Sequence, residues 1–138
     1  MIRNVFAIDS FRIRLISFVL VVVASLQRAD AADGSLAKFD QAVAAVTKIK
    51  SLDLPAEQRG QVLGRWFTFG GTAARQQCNE AIAASNFVAA EEWAVKEYQL
   101  ASDCFEASDR NRVASLMNLA KVRFLQQDKW DAALATFG

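Results

Sequence analysis

The chain contains no histidine among its 138 residues, and it has only one proline and two cysteines. Histidine is the side chain that most often serves as a general base near neutral pH and as a metal ligand. Its absence removes Ser-His and Cys-His nucleophile pairs and all histidine-based metal sites. The sequence therefore argues against an enzyme. We expect no catalytic residue, no metal and no cofactor.

Segments with a strand-like alternation of apolar and polar residues are also lacking. Apolar residues instead recur at spacings of three and four, which is typical of amphipathic helices. The sequence therefore predicts an all-α fold. Because the predicted connections are short, successive helices should pack antiparallel. The predicted helices are 36–52, 56–69, 72–84, 87–102, one beginning after Ser108-Asp109, and 129–137.

Glycine and proline are expected to set several of the helix boundaries. Pro55 suits the first turn of a helix, because its missing N–H would have no partner there. Gly70-Gly71 is expected to end the helix 56–69, with Thr72 capping the next one. The fifth helix is expected to bury an apolar stripe, which comprises Val113, Leu116, Met117, Ala120 and Phe124.

The two cysteines, Cys78 and Cys104, could form a disulfide in an exported protein. In a hairpin of 72–84 and 87–102, however, Cys78 would lie opposite a residue near Trp93. Cys104 would then lie roughly 16 Å further along the helix, which is too far for a disulfide. We predict two buried free thiols.

A long hydrophobic run is missing, but a short one lies near the N-terminus. Three arginines precede the apolar run 15–26, and the small-x-small motif Ala29-Asp30-Ala31 follows it. A membrane-spanning helix needs about 20 apolar residues. We therefore predict a cleaved secretory signal over 1–31, ahead of a helical domain over 32–138. The alternative is an uncleaved anchor, which would be the only contact with a membrane. The expected location is secreted or periplasmic.

The charge balance argues against a nucleic-acid partner. Residues 1–31 hold four of the 16 basic and two of the 15 acidic residues, so 12 and 13 remain, a net charge of −1. No basic stripe is apparent in the sequence that remains, as nucleic-acid binding would require.

An aromatic-x-x-alanine motif opens three of the predicted helices. The copies are Phe39 with Ala42, Phe87 with Ala90, and Trp130 with Ala133, and their aromatic residues are 48 and then 43 positions apart. A recurring unit of this length indicates a helical repeat. The aromatic ring can fill the end of a helical hairpin, and the alanine allows two backbones to approach closely. Such units must stack to cover their apolar faces.

These motifs resemble the tetratricopeptide repeat family. The matching first-helix positions are Leu63-Gly64, Phe67 and Gly71, then Leu119-Ala120 and Phe124; the matching second-helix positions are Phe39, Ala42, Val46 and Ile49 with Leu52-Asp53-Leu54-Pro55, then Trp130, Ala133 and Phe137. Two departures stand out. The interval from Leu119 to Trp130 is one residue longer than the family pattern, and the interval between Phe39 and Phe87 holds two predicted helices where the family has one.

The resemblance implies helical hairpins stacked as a short right-handed solenoid that binds a protein or peptide without catalysis. It also implies a concave surface formed by the first helices, which in this chain could include Arg65, Asn118 and Lys121. One alternative is a self-assembling fragment of a larger repeat protein. Another is a carrier of small apolar ligands that uses Trp66 and Phe69.

The C-terminus bears on the self-assembly alternative. The sequence ends at Gly138 without the polar capping helix that usually finishes a solenoid. We therefore expect either a truncated array or self-association through the uncapped C-terminal helix.

Acidic clusters are expected to be structural. Glu91 and Glu92, with Glu97 nearby, are predicted to form a solvated surface. Asp103, Glu106 and Asp109 lack the glycine of a calcium loop and are expected to cap helices.

Overall fold

A computed structural model describes residues 34–126 and 130–137. Within these ranges the chain forms five α-helices and no strand, which confirms the all-α prediction. The helices are α1 over 34–50, α2 Ala56–Ala83, α3 Phe87–Cys104, α4 Arg110–Leu125 and α5 Trp130–Phe137. The predicted signal segment 1–31 lies outside the described residues. None of the described helices is long and apolar enough to cross a membrane.

The predicted break at Gly70-Gly71 is wrong, because both glycines lie inside the continuous helix α2. A Cβ atom on Gly70 would lie 2.4 Å from the Cβ of Ala42, and one on Gly71 would lie 2.9 Å from the ring of Phe67. Gly70 therefore lets α1 approach the α2 backbone closely, and Gly71 does the same for the Phe67 ring. Thr72 consequently caps nothing. A glycine inside a helix costs about 1 kcal/mol relative to alanine, and close packing offsets that cost here.

Polar side chains and one turn set the other helix limits. The side chain of Asn86 accepts a hydrogen bond from the backbone N–H of Ala89, and Asp109 accepts one from Asn111 at 2.8 Å. Asp109 is one of the residues expected to cap a helix, and Asn86 caps α3 in the same way. Between α2 and α3, Ser85 has a φ of 56°. This left-handed residue lets the N–H of Asn86 reach the carbonyl of Ala81, which closes the end of α2 as a Schellman motif.

The helices follow one another up and down. The side chain of Gln77 near the end of α2 donates to Ser35 near the start of α1, so these two helices run antiparallel. Phe67 contacts Phe105 edge to face with ring centroids 4.9 Å apart, and this contact joins α2 to the residue that follows α3. Helices α3 and α4 are likewise antiparallel, because Glu91 near the start of α3 meets Arg123 near the end of α4.

Helices that are two apart in sequence run parallel. Phe39 on α1 lies edge to face with Trp93 on α3, at a centroid separation of 6.3 Å. Further along both helices, Lys50 Nζ lies 3.5 Å from a carboxylate oxygen of Asp103. Odd-numbered helices α1 and α3 therefore lie side by side in the same direction.

Two apolar clusters form the core of the described part of the chain. The first joins α1, α2 and α3 and contains Phe39, Ala42, Val46, Ile49, Leu63, Ala74, Leu100 and Cys104. The second joins α2, α3 and α4 and contains Cys78, Ala90, Ala94, Leu119 and Val122. Of the motif positions, Phe39, Ala42, Ala90, Leu119 and Ala120 are buried, whereas Phe87 is half-buried. The side chains of Trp130 and Ala133 lie outside the described part of the chain.

The apolar stripe predicted for the fifth helix, now α4, is wrong at three of its five positions, since Ala120 is buried and Leu116 is half-buried. Val113, Met117 and Phe124 are exposed, at 40%, 58% and 58% of their surface. The residues that α4 turns towards the core are Ser115, Leu119, Ala120 and Val122, of which only Ala120 belongs to the predicted stripe. The rotation has a polar cause, because Ser115 on the inward face is bonded to a buried carboxylate on α3.

Candidate partner-binding cleft

A buried carboxylate at the centre of α3 connects three helices. The Glu97 side chain is 2% exposed. Its Oε1 accepts hydrogen bonds from the Arg75 guanidinium on α2 and from the Ser115 hydroxyl on α4, the latter at 3.1 Å. Its Oε2 accepts a third hydrogen bond, at 3.2 Å, from the side-chain amide of Asn118. Buried carboxylates are stable only when they are paired and hydrogen-bonded, and Glu97 meets both conditions.

The Arg75 side chain links this buried cluster to the surface. It is 41% exposed, so one end of the Arg75–Glu97 ion pair faces solvent while the other is enclosed. The Nε atom of Arg75 is buried without a hydrogen-bond partner. The Ser115 hydroxyl also lies 3.0 Å from the carbonyl of Asn111, and its single proton is shared between that oxygen and Glu97. Glu97 therefore depends mainly on Arg75 and Asn118.

A cleft of about 210 Å³ opens above this cluster between α2 and α4. Its polar lining comprises Thr68, Thr72, Arg75 and Asn111, with Glu97 on α3 at its inner side; its apolar lining comprises Phe67, Gly71 and Ala114. The volume lies below the roughly 300–1,000 Å³ typical of pockets that enclose a small-molecule ligand. Its groups can donate and accept hydrogen bonds, but they include no nucleophile beside a base.

The sequence-predicted binding residues lie at different places around this cleft. Arg65 is exposed on α2, about one turn before Thr68, and does not line the cleft. Asn118 is half-buried, and its amide nitrogen is bonded internally to Glu97 and to the Cys78 sulfur, the latter at 3.7 Å. Lys121 is exposed on α4. The structure therefore does not bring these three side chains together.

The prediction of a solvated acidic surface is wrong for two of its three residues. Glu97 is buried, and the Glu91 side chain is only 17% exposed. Glu91 accepts hydrogen bonds from Arg123 at 3.0 Å and from Gln126 at 2.8 Å. Arg123 also donates to Thr136 at 2.8 Å, which ties α5 to the same group. Only Glu92 is exposed as expected.

Sequence reasoning missed Arg75 and misplaced Glu97. A signal for Glu97 was present, because it falls on the helical line of three alanines, Ala90, Ala94 and Ala101. All three are fully buried. A charged residue on a buried line requires a partner on a neighbouring helix. The partner itself could not be found from sequence, because Arg75 lies 22 residues away on a helix that was expected to be two helices.

Both cysteines are buried free thiols, as the sequence predicts, and they belong to different core clusters. Burial raises the pKa of Cys104 to about 11, and the nearby Asp103 carboxylate adds to the shift. Burial also raises the pKa of Cys78, although the hydrogen bond from Asn118 opposes this. Since a thiolate is the reactive form, neither cysteine is poised as a nucleophile.

The aromatic residues proposed for a ligand cavity contact each other instead. Trp66 and Phe69 are edge to face with centroids 5.7 Å apart, and neither lines the cleft. Trp66 packs against the first core cluster, whereas Phe69 is 40% exposed. Among the residues of 34–126 and 130–137, no group of three or more acidic or cysteine side chains could hold a metal ion.

Comparisons of the chain with protein-family models, with curated protein sequences and with solved structures find no match.

Proposed function

We propose that this chain is a helical-repeat protein-interaction module, and that the cleft between α2 and α4 binds an extended segment of a partner protein. The observation that carries the proposal is the cleft itself. Two parallel helices flank it, and Thr72, Arg75 and Asn111 place hydrogen-bonding groups around an apolar strip. An extended peptide offers alternating N–H and C=O groups together with side chains, which suits such a mixed lining.

The arrangement of helices supports a repeat architecture of the tetratricopeptide type. Because α2 is continuous, the aromatic-x-x-alanine motif occurs on α1, α3 and α5, which are alternate helices. The alanines at 42 and 90 are fully buried, and Ala42 lies against Gly70. Helices α2 and α4 are then the first helices of successive units. The cleft lies between them, where the resemblance places the binding surface.

Rigidity favours binding at this position. The Glu97 cluster crosslinks α2, α3 and α4 directly beneath the cleft. A cleft whose walls are already fixed loses less conformational entropy when a partner binds. The predicted signal over 1–31 completes the proposal, since export would place the module in the periplasm or outside the cell.

The test is selection of random 12-residue peptides against the full chain. We expect selected peptides to bind the wild-type chain and to lose at least tenfold in affinity when Thr72→Trp fills the cleft. Thr47→Trp is the matched control, because Thr47 is also an exposed threonine but lies on α1. Circular dichroism should show the same melting for both variants. Selected peptides that bind Thr72→Trp as tightly as wild type would refute the cleft as the binding site.

Self-association is a second candidate, and one observation favours it. On α5, Leu134 and Phe137 expose 66% and 65% of their surfaces. Sedimentation velocity over a hundredfold concentration range would detect a dimer. We expect Leu134→Lys to abolish any such dimer, whereas a monomer at every concentration would exclude this candidate.

A further inference from the structure

Helix α4 presents a line of two apolar and two basic side chains to solvent. Arg110, Val113, Met117 and Lys121 recur at spacings of three and four and are all exposed. This spacing places all four on one face of the helix. We call this set the α4 stripe. It shares no residue with the lining of the cleft.

The two cations of the α4 stripe are not used by the fold. Helix α4 carries four basic residues and no acidic residue. Arg112 donates to the carbonyl of Phe105, and Arg123 is paired with Glu91. Arg110 and Lys121, by contrast, have no hydrogen-bond or ion-pair partner within the described part of the chain.

The apolar residues lie between the cations. Met117 exposes 58% of its surface and Val113 exposes 40%. A single exposed apolar residue needs no explanation. Here Val113 and Met117 are aligned between two free positive charges, and the exposed Phe124 follows Lys121 on the same face. This is an arrangement that a complementary amphipathic helix would cover. The stripe is about 16 Å long, or three helical turns, at 1.5 Å per residue.

We propose that the α4 stripe binds an amphipathic helix of a partner protein, with acidic residues about eleven positions apart and apolar side chains between them. The acidic residues would pair with Arg110 and Lys121, and the apolar side chains would cover Val113 and Met117. A lipid surface fits less well. Membrane-binding helices bury a broad apolar face rich in large side chains, whereas Lys121 interrupts the apolar residues of this face, and α4 also packs against α3 and α5.

The probes are two designed helical peptides of 15 residues. The acidic peptide has glutamate at both ends of one face and two leucines between them, and the basic peptide has lysine in place of glutamate. Fluorescence anisotropy with the full chain should show tighter binding of the acidic peptide. The double variant Arg110→Glu/Lys121→Glu should weaken it about tenfold, since each exposed ion pair contributes modestly. The same variant should bind the basic peptide more tightly than wild type does.

The matched control is Lys38→Glu/Lys48→Glu, which changes the net charge equally on exposed positions of α1. It should leave binding of the acidic peptide unchanged. The proposal fails if both double variants weaken that peptide equally, or if the wild-type chain binds both peptides alike. It also fails if charge reversal on α4 alters only the binding of phosphatidylglycerol vesicles, since the stripe would then contact membrane. If the selected 12-residue peptides lose binding in Thr72→Trp but not in Arg110→Glu/Lys121→Glu, the cleft and the α4 stripe are separate binding sites.

Discussion

Gly70 is the position where the packing of α1 on α2 can be tested most directly. A Cβ atom at this residue would lie 2.4 Å from the Cβ of Ala42 and 3.1 Å from a methyl carbon of Leu100. The Leu100 methyl group ends a side chain and can move. The Ala42 Cβ is fixed to the α1 backbone, so Gly70→Ala requires the two helices to separate by about 1 Å to restore an ordinary contact.

The expected magnitude combines two opposing effects. Alanine gains about 1 kcal/mol over glycine in a helix interior. Overpacking a core typically costs about 1–3 kcal/mol, and the upper part of that range applies because the obstacle is attached to backbone. Gly70→Ala should therefore reduce the free energy of unfolding by about 1–2 kcal/mol. Gly64→Ala is the matched control on the same helix, with nothing within 4 Å of the added Cβ. It should stabilise by about 1 kcal/mol.

Urea unfolding followed by circular dichroism at several denaturant concentrations gives both free energies. The reciprocal variant Ala42→Gly should rescue Gly70→Ala, because it removes the opposing methyl group. A double-mutant cycle on these two positions should give a coupling energy of about 1–3 kcal/mol. If Gly70→Ala stabilises the chain as much as Gly64→Ala does, α1 and α2 do not approach each other as closely at Gly70 as described.

Three further predictions concern single residues. Glu97→Gln should lower the free energy of unfolding by about 1 kcal/mol, because glutamine keeps an acceptor for the buried donors and water partly rehydrates Arg75. Glu97→Ala should lower it by about 3 kcal/mol, because alanine leaves those donors without an acceptor. Urea titration measures both changes. Ser85→Gly should raise stability by about 1 kcal/mol, because glycine adopts a φ of 56° without strain; a lower melting temperature would contradict this. Cys104 should resist thiol reagents at pH 8 until the chain unfolds. Since its pKa is raised from 9.0 to about 11, its contribution to stability is complete below pH 9 and is lost as the pH rises through 11. Cys104→Ala should flatten that part of the pH profile.

Helix existence could be predicted from the sequence, because the period of apolar residues is a local property. Whether a helix ends at Gly70-Gly71 could not be decided from the neighbouring sequence alone. Two consecutive glycines usually end a helix, since glycine tolerates the left-handed conformation there. Here they continue α2, because α1 and the Phe67 ring occupy the space that side chains would fill. Tertiary packing thus decided between two structures that the local sequence allows.

The candidate site was less predictable than the fold, and the reason is rotation about the helix axis. For α4, the most apolar line of residues was expected to face inwards, but Ser115 and Leu119 face the core and Met117 faces solvent. The buried Glu97 carboxylate explains the difference, because it needs donors from α4. A polar requirement on one helix therefore set the orientation of the next. Such a requirement becomes visible only when the two helices are placed together.

The repeat hypothesis can be tested by asking which residues of two parallel helices lie side by side. Phe39 lies beside Trp93 and Lys50 beside Asp103, so positions on α1 meet positions 53 or 54 residues later on α3. The motif interval between Phe39 and Phe87 is 48 residues. The two motifs are thus staggered by five or six residues, roughly 8–9 Å along the axis, so they do not lie at the same level of α1 and α3.

The first-helix positions fit less well. Cys78 on α2 meets Asn118 on α4, an offset of 40 residues, whereas Leu63 and Leu119 are 56 apart. Leu63 and Leu119 therefore lie at different levels of their helices. The repeat hypothesis rests on the alternating direction of the helices and on the buried alanines of α1 and α3, because backbone approach at Ala42 constrains packing directly. A leucine pair in an apolar helix imposes no such constraint.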